Sequence, residues 1–204
     1  ILILHTQSPI IFLELVYYLQ LKNALLESIL ISTENAWSVV RNLRSFINKG
    51  ITPERALVNI EENMKVVVNI FQHELKKDIE LDMHIASGLK VLGFDIKLFQ
   101  VWSNLFKNSL EAMEGQEVKK ITINGYTSEQ NIVIEFSNNG PKIAEENIQK
   151  IFRKFYSTKR SKSGTGLGLS IVKNVLDDHR AKINVSSSDE QTTFKIIFQK
   201  PENM

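Results

Sequence analysis

Three glycines at alternate positions, Gly164-Thr165-Gly166-Leu167-Gly168, lead through Leu169 and Ser170 into the apolar stretch Ile171-Val172-Lys173-Asn174-Val175-Leu176. Glycine lets a backbone approach a ligand closely, and a helix beginning behind such a loop offers free N–H groups at the positive end of its dipole, which suits phosphates. By itself the run also fits an ordinary turn. A second segment narrows the choice. Leu98, Trp102, Leu105, Phe106, Leu110 and Met113 form one apolar helical stripe, while Gln100, Asn104 and Asn108 recur every four residues and share the opposite face. A solvated polar face is the ordinary fate of helical asparagine. Asn is nevertheless a mediocre helix former, and two of them one turn apart call for a chemical reason. Amide oxygens ligate hard cations, and amide N–H groups bind phosphate oxygens.

Between these segments, Val133-Ile134-Glu135-Phe136-Ser137 reads as a strand that ends in Asn138-Asn139-Gly140-Pro141-Lys142-Ile143. Turn chemistry alone accounts for Asn139, Gly140 and Pro141, but not for the order of the parts. In that order and spacing, four elements resemble the N, G1, F and G2 boxes of sensor histidine kinases. They are the Asn108 helix, the Asn138 turn, the run Ile151-Phe152-Arg153-Lys154-Phe155-Tyr156-Ser157-Thr158-Lys159, and the glycine loop. The resemblance covers most of residues 60–200. It is specific for the wider ATPase superfamily that includes gyrase, Hsp90 and MutL, with the run through Phe155 favouring the kinase branch.

The resemblance implies a Bergerat-type ATP site in which Asn108 holds Mg²⁺ and Asn104 joins it at the phosphates. Asn138 stands where the family usually has an Asp that accepts a hydrogen bond from the adenine amino group. Gly140, Ile143, Phe155 and Lys159 complete the implied binding set. Gly164, Gly166 and Gly168, with Thr165, Leu167 and Leu169 among them, would form the phosphate end of a mobile lid. An acidic residue often occupies the place of Asn104 and assists proton transfer; here that place is neutral. Lys159, Arg160 and Lys162 stand at the start of that lid and could contact phosphates, but the ordinary reading of any one of them is a solvated basic loop.

At 204 residues the chain is long enough to bury a core, as one large domain or two small ones. A formal charge of +2, spread along the sequence, gives no sign of a nucleic-acid surface. The absence of cysteine removes disulfides and thiolate metal sites and is compatible with a reducing cytosol. No apolar run reaches membrane-spanning length. Because the chain opens on Ile1 rather than Met, it is expected to be an excerpt, with room upstream for a membrane-spanning sensor segment.

The elements that must position these residues follow from periodicity. Residues 9–22 are almost all apolar, and a second helical pattern runs over 27–47, so 1–50 reads as an antiparallel hairpin unable to cover its own apolar surface. Pairing of two chains into a four-helix bundle would cover it. Gly50 and Thr52-Pro53 mark a break, after which 51–204 forms the second domain. There a helix is expected over 53–74, a strand at 79–83, the Asn-bearing helix over 95–113, and hairpins from 121–126 with 132–136 and from 181–185 with 192–198. Strands and segregated helices in this arrangement predict an α+β two-layer sandwich.

The kinase resemblance further implies an acceptor histidine on the hairpin and onward transfer to an aspartate of a response regulator receiver domain. His5 is the histidine on the hairpin. It is followed by Thr6 and Pro9, where the family has an acidic residue and a Pro one place later. His73 falls after the break, His84 past a strand, and His179 at a helix end, where a cation would complement the dipole. The reading is thus a dimeric, ATP-dependent histidine kinase core on the cytoplasmic side, its phosphoacceptor His5. The alternative is an ATP-binding dimeric module that has lost phosphotransfer.

Overall fold

In the computed structural model the residues described are Lys22, 54–157 and 166–201. The chain divides into two units between Thr52 and Pro53, and every element below belongs to the second. The hairpin expected over 1–50 lies outside the described residues.

The second unit opens with strand β1 (Ala56–Asn59), helix α1 (Ile60–Ile70) and helix α2 (Gln72–Asp78). This corrects the single helix expected over 53–74. Ala56, Leu57 and Val58 look helical beside the apolar residues that follow, but they pair antiparallel with Gly93, Leu92 and Val91 of strand β3 (Lys90–Gly93). Asn59 then starts the helix: its Oδ1 accepts the N–H groups of Glu61 and Glu62 at 3.1 and 3.3 Å, and its Nδ2 donates to Glu62 Oε1 at 2.9 Å. That is an N-cap with a reciprocal acidic partner. The helix buries Ile60, Met64 and Val67 along one side and stops at Phe71, whose ring stacks on Phe106 at 5.7 Å.

After β2 (Ile79–Ile85) and β3 comes the long helix α3 (Asp95–Ala112), then β4 (Lys119–Ser128), β5 (Asn131–Asn138), the short α4 (Glu145–Ile148), α5 (Gly168–Asp178), β6 (Lys182–Ser187) and β7 (Thr192–Gln199). Five strands form one sheet in the order β2-β4-β5-β7-β6. Only β2 and β4 run parallel; the other neighbours are antiparallel. Period-two alternation sends Ile121 and Ile123 of β4, Ile134 and Phe136 of β5, and Phe194 and Ile196 of β7 into the core. The other face carries polar cross-strand pairs. Glu135 lies opposite Lys195 and within 2.9 Å of its ammonium, which holds the carboxyl below its usual range, and Ser137 Oγ meets Thr193 Oγ1 at 2.8 Å.

The helices cover the apolar face. α3 packs against both α1 and α5, and Phe106 meets Phe136 of β5 edge to face at 5.0 Å. Trp102, Phe106, Phe136 and Phe194 are all fully buried between the layers, so most of the hydrophobic stabilisation sits where α3 lies on the sheet. The α+β two-layer sandwich is the fold observed.

Candidate functional site

α3 is the floor of the site. Its apolar side is buried as the sequence pattern requires, while Gln100, Asn104 and Asn108 are half-buried rather than solvated. Asn104 Nδ2 donates to Gln100 O at 2.8 Å, one turn back, which leaves its Oδ1 facing the start of α5. A Cβ added at Gly168 would lie 3.1 Å from that oxygen. Position 168 therefore needs to be small for α5 to seat against the asparagine face. At the same end, Leu167 is the N-cap residue but supplies no side-chain bond to the helix. Ser170 Oγ turns back to Leu167 O at 2.8 Å instead. Among the described residues no side chain caps the first N–H groups of this 11-residue helix, whose positive end lies beside Asn104.

The glycine loop is tied to the run before it. Phe155 N–H donates to Gly166 O at 2.9 Å, and Gly166 and Phe155 both have positive φ, 64° and 63°. A Cβ at Gly166 would come within 2.5 Å of the Phe155 carbonyl carbon. Phe155 serves this junction through its backbone, while its side chain is 76% exposed. His5, Lys159, Arg160, Lys162, Gly164 and Thr165 lie outside the described residues.

The third wall is the turn after β5. Strand alternation puts Asn138 on the same face as Ile134 and Phe136, toward α3. There it is buried, donating from Nδ2 to Ser109 Oγ at 3.0 Å and accepting the Gly140 N–H on Oδ1 at 3.0 Å. Gly140 is pressed against α3 as well: a Cβ there would lie 2.8 Å from Asn138 Oδ1 and 3.0 Å from Ala112 Cβ. Asn139 has a structural role, accepting Lys120 N–H at 2.8 Å and donating to Val118 O at 3.0 Å. Ile143 packs on the core, and its N–H donates to Ser187 Oγ at 2.9 Å. Asn104 and Asn108 therefore share one helix, against which Gly168, Gly140 and Asn138 are seated. Sequence reasoning missed Ser109. Its signal was a polar residue at a fully buried position of the α3 stripe.

His179 corrects an expectation. It ends α5, but as a neutral group rather than a cation. Its Nε2 accepts the Phe94 N–H at 3.0 Å and its Nδ1–H donates to Val175 O at 2.7 Å, which fixes the tautomer. Burial first, and then the Arg55 and Lys97 cations, push its pKa below 6.5, against the opposing pull of Val175 O and Asp178. Phe94 is the N-cap residue of α3, so this imidazole locks the end of α5 to the start of α3. An unfolded imidazole takes up a proton near pH 6.5 while the folded one resists, so the unfolded state binds more protons below that pH. The His179 contribution to stability is accordingly full above pH 6.5 and lost as the pH falls through the lowered folded value. Thermal unfolding at pH 7.5 and 5.5 is expected to show a loss in the wild type that His179→Gln does not share. His84 lies within β2 rather than past a strand, exposed and 3.1 Å from Asp82, and His73 falls on α2.

Residues 93–202, more than half of the chain, match the model of the histidine kinase-, DNA gyrase B- and HSP90-like ATPase family. The chain belongs to this family. The C4-dicarboxylate transport sensor protein DctB of Rhizobium meliloti is 31% identical over 177 residues, 86% of this chain and 28% of DctB. The sensory histidine kinase/phosphatase NtrB of Vibrio alginolyticus is 28% identical over 169 residues, 76% of this chain and 48% of NtrB. The chain thus spans between about a quarter and a half of these curated relatives. Among solved structures, the nucleotide-free catalytic domain of histidine kinase ThkA superposes with a TM-score of 0.65 at 31% identity, covering 72% of this chain and 96% of that domain. Membership of this family implies the use of ATP.

The donor set also fits a magnesium ion carried in with phosphates. Among the described residues no group of three or more His, Cys, Asp or Glu side chains is placed to hold a metal. Asn108 offers a neutral amide oxygen from a half-buried position. Mg²⁺ is typically held by one or two protein ligands plus phosphate oxygens and waters, and this surface suits that mode.

Proposed function

We propose that this chain is the catalytic core of a sensor histidine kinase, which binds Mg·ATP on α3, phosphorylates His5 and passes the phosphoryl group to an aspartate of a response regulator receiver domain. The observation that carries the reading is the meeting of Asn104 with Gly168 and of Asn138 with Gly140 on a single helix, in a chain of the ATPase family whose relatives are sensor kinases.

In this reading Asn138 and Gly140, with Ile143 behind them, receive the adenine. Asn108 ligates the metal, and bound Mg²⁺ would neutralise charge on the phosphate oxygens. Asn104 and the N–H groups of Gly168 and Leu169 hold the phosphates in place, and Gly164, Thr165, Gly166, Leu167 and Lys159 close over them. Phosphoryl transfer asks the protein chiefly for such positioning. The neutral His5 nitrogen attacks the γ-phosphorus, the bond to the β-phosphate oxygen breaks to release ADP, and the imidazole loses its proton. Neither Thr6 nor the neutral Asn104 is a competent base, and a positioned base is commonly worth about 10²–10⁴-fold. Autophosphorylation is therefore slow. Residues 1–50 supply the dimer and the acceptor, and 51–204 supply the kinase, on the cytoplasmic side of the membrane. Among the described residues no helix is long and apolar enough to cross a membrane.

Incubation with labelled ATP tests the proposal. The expected product is an acid-labile, base-stable phosphate that mass spectrometry places on His5 and that His5→Gln loses. Undiminished labelling of His5→Gln would move the acceptor elsewhere, and no label at all would remove the kinase.

A further inference from the structure

We propose that His179 positions the phosphate end of α5, and that a proton taken up by its ring weakens nucleotide binding from the far end of that helix. The inference rests on the reading of α5 as the helix whose first N–H groups receive the phosphates, and neither the resemblance nor the comparisons give His179 a part in that.

α5 meets α3 at both of its ends. Gly168, at the start, lies against Asn104, and His179, just past the end, accepts the N–H of Phe94, the N-cap residue of α3. The two helices therefore run antiparallel, and the contacts stand about 16 Å apart along α5 at the rise of an α-helix. Between them α5 buries Val172, Val175 and Leu176. Such apolar packing is non-directional, so it resists separation of the helices more than a small slide or rotation of one along the other. The directional bond at His179 fixes that remaining freedom, and the helix carries its position to Gly168 and Leu169. Displacements of about 1 Å matter where reacting groups are held in place.

The seat of the imidazole admits one protonation state. Phe94 N–H can only donate and Val175 O can only accept, so the ring must present a lone pair at Nε2 and a proton at Nδ1. The ring is packed directly on Gly93, where a Cβ would come 2.5 Å from its Cδ2 and 2.6 Å from its Nε2. The charged groups around it are Arg55 ahead of β1, Lys97 on α3 and Asp178 on α5. Both cations lie over the Phe94 ring, at 5.4 and 4.9 Å from its centre, and that ring meets the imidazole edge to face at 5.6 Å. Asp178, the one opposing charge among them, is already engaged: its carboxylate pairs with Lys97 at 2.7 Å and its carbonyl accepts from Arg55. A proton on Nε2 would take the acceptor from Phe94, set two donors face to face and place a third cation beside two others. The ring then has to leave its seat, and the end of α5 moves with it. His179 touches no nucleotide and is a positioning residue.

Calorimetric titration of the full chain with Mg·ATP from pH 7.5 to 5.0, at a temperature where circular dichroism shows every sample folded, tests this. His179→Gln is the reference, because its amide oxygen can accept the Phe94 N–H and it carries no charge at any of these pH values. Protonation of the nucleotide itself acts equally on both proteins. As the pH falls, the wild type is expected to lose about five- to tenfold more affinity than the glutamine variant, the size of one hydrogen bond. Lys97→Met removes a cation beside the ring and frees Asp178 to oppose it, so the loss of affinity in that variant is expected at higher pH than in the wild type. It tests the proposal on its own if the glutamine variant folds poorly. Affinity that falls equally in the wild type and His179→Gln overturns the proposal, since His179 would then serve stability alone. A loss in Lys97→Met at the same or a lower pH than in the wild type overturns it too. If the wild type binds no Mg·ATP at pH 7.5, the nucleotide reading itself falls and takes this proposal with it, a result distinct from the other two.

Discussion

Replacing Asn108 by Ala is expected to abolish Mg·ATP binding while the domain stays folded. Asn108 lies on the half-buried polar side of α3, outside the row Leu98, Trp102, Leu105 and Phe106 that carries the core. Among the described residues its side chain is not needed by the fold's hydrogen bonds, and Ala is the better helix former, by up to about 0.7 kcal/mol. Stability should therefore hold or rise slightly. Binding should not. Removing a group that merely supports a metal ligand costs about 10–100-fold in affinity, and removing a ligand costs at least as much. Because no carboxylate cluster among the described residues stands ready to replace it, the loss should exceed a hundredfold. Calorimetry with Mg·ATP and circular dichroism on the same sample separate the two effects. Full binding by the folded variant would remove Asn108 from the metal and with it the assignment of the α3 face.

Much of this surface was legible because it is written at helical and strand period. The stripe Leu98, Trp102, Leu105 and Phe106 predicts α3 and, by exclusion, the face of Asn104 and Asn108; alternation along β5 fixes which way Asn138 points once its strand is recognised. What could not be read depends on contacts between distant parts of the chain. Four-residue strands such as β1 and β3 give too little period to distinguish from a helix start, although Asn59 followed by Glu62 was a capping signal that places the true start at Ile60. The neutral state of His179 depends on the Phe94 N–H, 85 residues away. No local pattern announces that partner, and the helix-end rule alone points to the wrong charge. Ser109 was overlooked for the opposite reason. It sits on the core side of α3, where a single polar residue is easily taken as tolerated, and only the structure shows that its hydroxyl accepts the Asn138 amide.

Gly166→Ala is the second substitution expected to remove nucleotide binding, and its reason differs from the one the sequence supplied. A loop glycine suggests that a side chain would obstruct phosphate. In the structure the obstruction is internal: with φ at 64°, the new Cβ would sit 2.5 Å from the Phe155 carbonyl carbon, 2.7 Å from its Cα and 2.9 Å from Tyr156 N. These are backbone atoms that cannot rotate aside, so the chain itself must shift. The shift would break the Phe155 N–H to Gly166 O bond that ties the glycine run to the segment before it. A non-glycine residue at positive φ adds about 1–2 kcal/mol of strain. Gly115 separates the two contributions, since its φ is 81° and nothing lies within 4 Å of a Cβ built there. Gly115→Ala should therefore carry the φ cost alone, lowering stability by about 1–2 kcal/mol without touching nucleotide affinity. Gly166→Ala should lose binding at least tenfold with comparable loss of stability, because the core between α3 and the sheet does not depend on it. If Gly166→Ala binds Mg·ATP as the wild type does, the junction at Phe155 is not part of the lid's working geometry, and the glycine serves only the turn.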